Sequence, residues 1–215
     1  LGTYGNGFVV GREGCHVVTN FHVAFGVSKS HDPAIDTVII AKPDIGHEVS
    51  VEVDLDPATG VMARRILANV VEFGDYMPND SRGFKEDLAL LKLSKCLGHR
   101  YGGVRLQPHE DGVHTPGEVI LSTLSLSKSK NGQSALLIES QCVAANDTPV
   151  AGIFFSNCKT IPGMSGSPVF RVDTDGRFTI VGITTGTLSP AGKAELNYAI
   201  FSSALTPFVQ GVLGT

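Results

Sequence analysis

Residues 161–170 read IPGMSGSPVF and place Ser165 between two glycines, Gly163 and Gly166, just ahead of a Pro-Val-Phe run that predicts a buried strand. Two interpretations compete. The segment is either a tight loop that contains a serine, or a nucleophile held by a backbone that only glycine permits. An uncharged serine is a weak nucleophile and needs a nearby base, usually a histidine oriented by a third group. Other parts of the sequence have to decide between the two.

The composition is that of a folded domain. The 215 residues are 42% hydrophobic and 18% charged, which is enough to bury a core as one domain or as two small halves that share a cleft. The net charge of -4 and the scattered Lys and Arg predict no nucleic-acid partner. No run reaches the roughly 18 apolar residues of a membrane span, and the first residues lack a signal-peptide layout. We therefore expect a mature or truncated chain with no membrane association.

Short apolar runs separated by turn residues predict an all-β domain. The single domain 1–215 divides into two β-rich halves, 1–100 and 101–215, because residues 94–117 read as a linker. One helix is predicted at 203–212, with Pro207 near its first turn. The run MARRILANVVEF at 62–73 has helix-like spacing but is assigned as a strand. The predicted strands are 4–10, 15–21, 37–41, 64–72, 88–93, 118–124, 135–144, 150–155, 168–172, 178–185 and 197–201.

Two further segments supply the groups that an activated serine requires. His22 ends the β-rich run CHVVTNFHVA, which predicts a place at the rim of a strand. The segment KEDLALLKL puts Asp87 at the start of the most apolar alternating run in the first half. A carboxylate there would be partly buried, and an imidazole N–H is a suitable partner for it. Taken alone, each residue is as well explained as an ordinary polar side chain.

In that order, TNFHVA, EDLALLKL and GMSGSPVF resemble the three signatures of trypsin-like serine proteases, with the bacterial members the most similar. The resemblance runs from Gly5 to Val209. It implies two six-stranded antiparallel β-barrels of the chymotrypsin type with a C-terminal helix. It also implies that Ser165 is the nucleophile, His22 the general base and then acid, and Asp87 the orienting carboxylate.

The same resemblance extends to the groups around the reacting carbonyl. It implies an oxyanion hole formed by the backbone N–H groups of Gly163 and Ser165. In the stretch IVGITTG, Thr184 would donate a hydrogen bond to Asp87, and Thr185 and Gly186 would pair with an extended substrate backbone. Lys159 falls at the charge-selecting position of the specificity pocket, where it would favour acidic or polar side chains or else point to solvent.

The four cysteines predict two disulfides. In the family's first barrel, the strand before the base pairs antiparallel with the strand after the aspartate, and antiparallel partners have a nearly constant sum of residue numbers. That register brings Cys15 close to Cys96, and Cys142 and Cys158 remain for a bridge that would brace the nucleophile loop. Four buried thiols are the alternative. Two bridges would predict a secreted or periplasmic protein.

Two features depart from the family. Met164 stands where digestive relatives have the aspartate that receives a freshly cut N-terminus, so that activation switch cannot operate here. Family members also have a strand ahead of 4–10; we expect it to have been removed, to come from a partner chain, or to be dispensable. No metal or cofactor is predicted. The predicted function is a serine endopeptidase acting on peptides or proteins, and the alternative is an inactive binding module of the same fold.

Overall fold

Strands dominate the computed structural model, which describes residues 4–29, 38–40, 44–56, 61–77, 80–98, 106, 119–123, 127–128, 134–135, 138–145, 151–158, 160–161, 163–172, 176–188 and 196–213. Most of the predicted linker and all of Lys159 lie outside these residues. The strands are β1 (Phe8–Val10), β2 (His16–Thr19), β3 (Val27–Lys29), β4 (Val38–Ile40), β5 (Glu48–Asp56), β6 (Val61–Phe73), β7 (Ala89–Leu93), β8 (Val119–Thr123), β9 (Ser127–Lys128), β10 (Ser134–Ala135), β11 (Ile138–Ala145), β12 (Ile153–Ser156), β13 (Pro168–Val172), β14 (Phe178–Leu188) and β15 (Leu196–Phe201).

The N-terminal half contains a five-stranded antiparallel sheet in the order β1-β2-β7-β6-β5. Alternation along β6 shows why this segment is a strand rather than a helix: Ile66 and Ala68 are buried, whereas Leu67 and Asn69 are exposed. The expected sixth strand is not part of this sheet in the described residues. There, β3 and β4 pair with each other as a separate antiparallel ribbon.

The C-terminal half contains a closed antiparallel barrel of six strands in the order β11-β12-β15-β14-β13-β8. Pro168 is the first residue of β13, a position where its missing N–H costs no ladder hydrogen bond. Closure leaves no free edge in the barrel, so its backbone groups are paired around the ring. The all-β, two-barrel architecture with a C-terminal helix is thus confirmed.

Three helical segments accompany the strands in the described residues: α1 (Phe21–Phe25), the 3-10 helix Ser81–Glu86 and α2 (Ser202–Leu213). The prediction of α2 is confirmed, but the prediction for Pro207 is wrong, because it lies in the second turn rather than the first. Pro207 is exposed to solvent, whereas Leu205 and Val209 are buried and anchor the helix in the core. No helix among the described residues has the length and apolar character needed to cross a membrane.

Two disulfides join Cys15 to Cys96 and Cys142 to Cys158, the same pairs that the sequence predicts. The first follows from the antiparallel register of β2 and β7, in which His16 lies opposite Lys92. At the last residue of β7, the N–H of Leu93 donates to the carbonyl oxygen of Cys15, which directly precedes β2, at 2.8 Å. The second disulfide links β11 to the segment that follows β12 and leads to the nucleophile loop.

One hydrophobic cluster is shared by the two halves. Leu88 and Leu90 come from the N-terminal half, and Ile153, Ile180 and Ile200 come from the barrel. All five side chains are at most 2% exposed. Asp87 immediately precedes Leu88, so the chain that enters this shared core also carries the predicted carboxylate to the boundary between the halves.

Candidate active site

His22 and Asp87 are in direct contact. Asp87 follows the 3-10 helix and is completely buried. Its Oδ2 lies 2.7 Å from His22 Nδ1, and its Oδ1 accepts the backbone N–H of His22 at 3.0 Å. A carboxylate oxygen accepts a hydrogen bond from the ring when Nδ1 carries the hydrogen, and that tautomer leaves Nε2 free to take up a proton. The contact therefore favours the tautomer that a general base requires.

The structure corrects the expected local setting of His22. His22 lies in the one-turn helix α1 and not at the rim of a strand, since β2 ends at Thr19. Phe21, Ala24 and Phe25 are buried along one face of this turn, a spacing of three and four residues that a strand cannot produce. The turn directs the His22 backbone N–H to the same carboxylate that its ring contacts.

Ser165 lies on a tight loop between β12 and β13. Its hydroxyl donates a 2.9 Å hydrogen bond to the carbonyl oxygen of Thr185, and in the described residues it makes none to His22. Thr185 is linked in turn to Asp87 through Asn20, whose Nδ2 lies 3.3 Å from Thr185 Oγ1 and 2.9 Å from the Asp87 carbonyl oxygen. Asn20 therefore ties the Asp87 backbone to the side chain of Thr185, the residue whose carbonyl accepts the Ser165 hydroxyl.

Glycine at 163 and 166 lets the loop adopt its conformation. The φ angles are +97° and +86°, values that other L-residues rarely adopt. The loop is closed by bonds from Met164 N–H to the Ile161 carbonyl at 3.1 Å and from Gly166 N–H to the Thr184 carbonyl at 2.8 Å. The N–H groups of Gly163 and Ser165 have no acceptor within the described residues. Two donors that lie two residues apart in one loop and have no acceptor in the described part of the chain are suited to receive a negatively charged oxygen.

Comparison with known proteins agrees with this geometry. The trypsin-like peptidase domain family matches residues 5–183. The chain belongs to this family. Among curated proteins, no match to the chain is found.

Met164, which departs from the pattern of the digestive relatives, is packed inside the nucleophile loop. Its side chain is 4% exposed, and its Sδ accepts the backbone N–H of Ile161 at 3.2 Å. An apolar side chain inside the loop thus occupies the position where digestive relatives need a carboxylate. The loop is held by this packing and its own backbone bonds.

In the part of the chain that the structure describes, no hydrogen bond joins the Thr184 side chain to Asp87. Both carboxylate oxygens of Asp87 are bonded to His22, and Thr184 instead uses its backbone, accepting from Gly166 and donating to Ser167 at 2.8 Å each. Thr185 is the residue that reaches the site. The cause is a β-bulge in β14, which shifts the pairing register between Thr184 and Gly186 and turns the Thr185 carbonyl to Ser165.

Two tyrosines adjoin the site. The ring of Tyr76 lies 6.5 Å from the His22 ring, and burial, reinforced by the charge of Asp87, raises the pKa of its hydroxyl. Burial and the same charge also raise the pKa of Tyr198, which stacks on Phe84 at 5.6 Å. Both hydroxyls therefore stay protonated at neutral pH, and Tyr198 belongs to the core shared by the two halves.

Asn6 and Asn20 are the site residues that sequence reasoning missed. Asn20 has no exposed surface and separates the apolar run of β2 from α1. An asparagine inside so apolar a run, two residues before a candidate base, is the signal that points to it. Asn6 lies between Gly5 and Gly7, and two glycines in such a short segment indicate a close backbone approach. In the described residues, no group of three or more His, Cys, Asp or Glu is arranged for a metal ion.

Proposed function

We propose that the chain is a serine endopeptidase that cleaves peptide bonds through an acyl-enzyme on Ser165. The observation that carries the proposal is the 2.7 Å contact between His22 Nδ1 and the buried Asp87 carboxylate. Asn20 bonds both the Asp87 backbone and Thr185, whose carbonyl accepts the Ser165 hydroxyl. Burial of a carboxylate costs free energy unless the group is hydrogen-bonded, and both oxygens of Asp87 are bonded to His22. This arrangement fits a carboxylate that orients a base.

The proposed reaction begins when the Ser165 hydroxyl turns from the Thr185 carbonyl towards His22 Nε2. As Oγ attacks the scissile carbonyl carbon, its proton passes to Nε2, and Asp87 stabilises the imidazolium that forms. The Gly163 and Ser165 N–H groups bind the oxyanion. His22 then gives the proton to the leaving amine as the C–N bond breaks. A water attacks the ester by the same steps and releases the carboxylic acid.

Substrate recognition is part of the same proposal. Thr185 and Gly186 would pair with an extended peptide backbone beside β14. Lys159 would line the specificity pocket and favour an acidic or polar side chain. A cleavage profile from a mixed peptide library tests this: we expect enrichment of Asp, Glu or polar residues before the cut bond, and loss of that enrichment in Lys159→Ala. An unchanged profile in the variant contradicts the role of Lys159.

The disulfides also bear on location. Two disulfides and no free cysteine in the described residues are typical of proteins from oxidising compartments. We therefore propose a secreted or periplasmic protein, and the partner that the site requires is a peptide or protein substrate.

The test of the reaction is covalent labelling with a fluorophosphonate followed by intact mass. The native chain should gain one adduct, and Ser165→Ala should gain none. The matched control is Ser50→Ala, an exposed serine on β5, which should label like the native chain. Adduct formation by Ser165→Ala contradicts the assignment of the nucleophile.

A second variant tests the base. Asp87→Asn keeps the size of the side chain but removes the acceptor that fixes the His22 tautomer. We expect kcat on a peptide substrate to fall by about 10⁴-fold, because loss of the carboxylate leaves Nε2 protonated in the neutral ring. Retention of native kcat would exclude an orienting role for Asp87.

The alternative function is a binding module of the same fold that no longer turns over. The bond from the Ser165 hydroxyl to the Thr185 carbonyl favours it, since that bond points the hydroxyl away from His22. Peptide binding without labelling of the native chain would support this alternative.

A further inference from the structure

Asn6 bonds the two residues whose N–H groups form the proposed oxyanion hole. Its side-chain Nδ2 donates to the Gly163 carbonyl oxygen at 2.5 Å, and its backbone N–H donates to the Ser165 carbonyl oxygen at 2.7 Å. The carbonyl of Asn6 is itself fixed, because it accepts the Thr19 hydroxyl at 2.6 Å. These bonds connect the segment before β1, in the N-terminal half, to the nucleophile loop of the other half.

The contact is closely fitted. A Cβ atom on Gly166 would lie 1.9 Å from the Asn6 carbonyl oxygen, and one on Gly5 would lie 2.8 Å from the Ser165 carbonyl oxygen. Both distances are too short for real atoms, so the two backbones approach in a way that only glycine allows. The side chain of Asn6 is half-buried in this contact.

The position of the bonds determines what they can control. The N–H and the carbonyl of one residue belong to neighbouring peptide planes that share a Cα atom, so their mutual orientation depends on only two torsions. Gly163 has φ of +97°, and glycine crosses between positive and negative φ with little steric cost. The Gly163 carbonyl shares its peptide plane with the Met164 N–H, which donates to the Ile161 carbonyl within the loop. The Asn6 amide adds a restraint on this plane from outside the loop, and the plane in turn limits where the Gly163 N–H points.

We propose that Asn6 is a positioning residue that holds the Gly163 and Ser165 N–H groups in the orientation that receives the oxyanion. This inference rests on the proposed function and extends it. The side chain restrains the Gly163 peptide, and the backbone of Asn6 restrains the Ser165 peptide. Substitution of the side chain removes only the first restraint.

The test compares Asn6→Ala and the isosteric Asn6→Asp, which cannot donate to a carbonyl, with Asn69→Ala, an exposed asparagine on β6. We expect kcat on a peptide substrate to fall at least tenfold in both Asn6 variants while KM changes less than about twofold. The loss should stay below the roughly 100- to 1,000-fold cost of deleting an oxyanion donor outright. Asn69→Ala should retain native kcat. Native kcat in a folded Asn6 variant overturns the inference.

Amide hydrogen exchange separates this inference from the proposed function. Peptides that cover residues 161–166 should exchange faster in the Asn6 variants than in the native chain, at an unchanged Tm. If the native chain fails to react with a fluorophosphonate, the proposed function fails, and the exchange comparison still decides whether Asn6 restrains the loop. Unchanged exchange in both variants overturns the inference, whatever their activity. If Asn6→Ala does not fold, the isosteric variant decides alone.

Discussion

Gly166 is the residue whose replacement best separates backbone strain from close contact. Its φ of +86° is shared by Gly176 with +79°, but a Cβ on Gly176 would meet nothing within 4 Å. Gly176→Ala should therefore lose only the strain of a positive φ, about 1–2 kcal/mol. Gly166→Ala should lose clearly more, because its Cβ would collide with the Asn6 carbonyl. Urea unfolding of the two variants measures the difference, and equal losses would show that the loop can move away.

At the same scale, the chemistry of single residues was readable in advance to different degrees. Short motifs that are typical of a nucleophile, a base and an orienting carboxylate contain Ser165, His22 and Asp87. Asn20 and Asn6 lie in no such motif, and their partners are 67 and 157 residues away. A hydrogen bond over such a separation depends on the whole path of the chain, which no local pattern describes.

At the scale of elements, the pairing of β2 with β7 predicts an acid-sensitive step. His16 lies opposite Lys92, and burial, followed by the positive charge of Lys92, lowers its pKa from the usual 6.5. The unfolded chain binds a proton near pH 6.5 while the folded chain does not, so stability present above this pH is lost as the pH falls through the folded value.

The direction of this pH dependence can be tested with one variant of Lys92 and one of His16. Lys92→Gln should reduce the loss of unfolding free energy between about pH 7.5 and about pH 5, because the second cause of the lowered pKa is gone. His16→Gln should reduce it further. The control is Lys95→Gln, an exposed lysine outside β7, which should keep the native difference. Urea unfolding at both pH values gives the comparison, and an identical loss in His16→Gln would exclude His16 as the source.

Some strands and helices were predicted from the sequence, and others were missed. The strand at 168–172 is predicted with its bounds, because Pro168 marks its start. Strand β5 is missed, although EVSVEVDLD alternates strictly between apolar and polar residues. The helix α1 could not be predicted in this way, since five residues carry too little periodic signal and their burial depends on Phe73 and Tyr76, which pack on Phe21.

At the scale of the whole molecule, we expect the two halves to unfold as one unit, because they share a hydrophobic core. The disulfides restrict the unfolded state. The Cys15–Cys96 bridge spans 81 residues and the Cys142–Cys158 bridge spans 16. By loop entropy the first contributes about 4.5 kcal/mol and the second about 3 kcal/mol.

Removal of each bridge by paired alanine substitutions tests this ranking. We expect Cys15→Ala with Cys96→Ala to lower the free energy of unfolding more than Cys142→Ala with Cys158→Ala does, each in a single transition. Urea unfolding followed by circular dichroism measures both. Two separate transitions would contradict a common core, and a larger loss from the shorter bridge would contradict the entropic ranking.

The sequence by itself determined the all-β class, the C-terminal helix and the order of the three chemical motifs, because these depend on residue type and short-range periodicity. Tertiary structure alone decided that the Thr185 carbonyl accepts the Ser165 hydroxyl, that His22 lies on a helical turn, and that Asn6 and Asn20 join the halves. Each of these depends on contacts between segments that are distant in sequence. The β-bulge between Thr184 and Gly186 in β14 is a feature of strand pairing, which residue type and short-range periodicity do not describe.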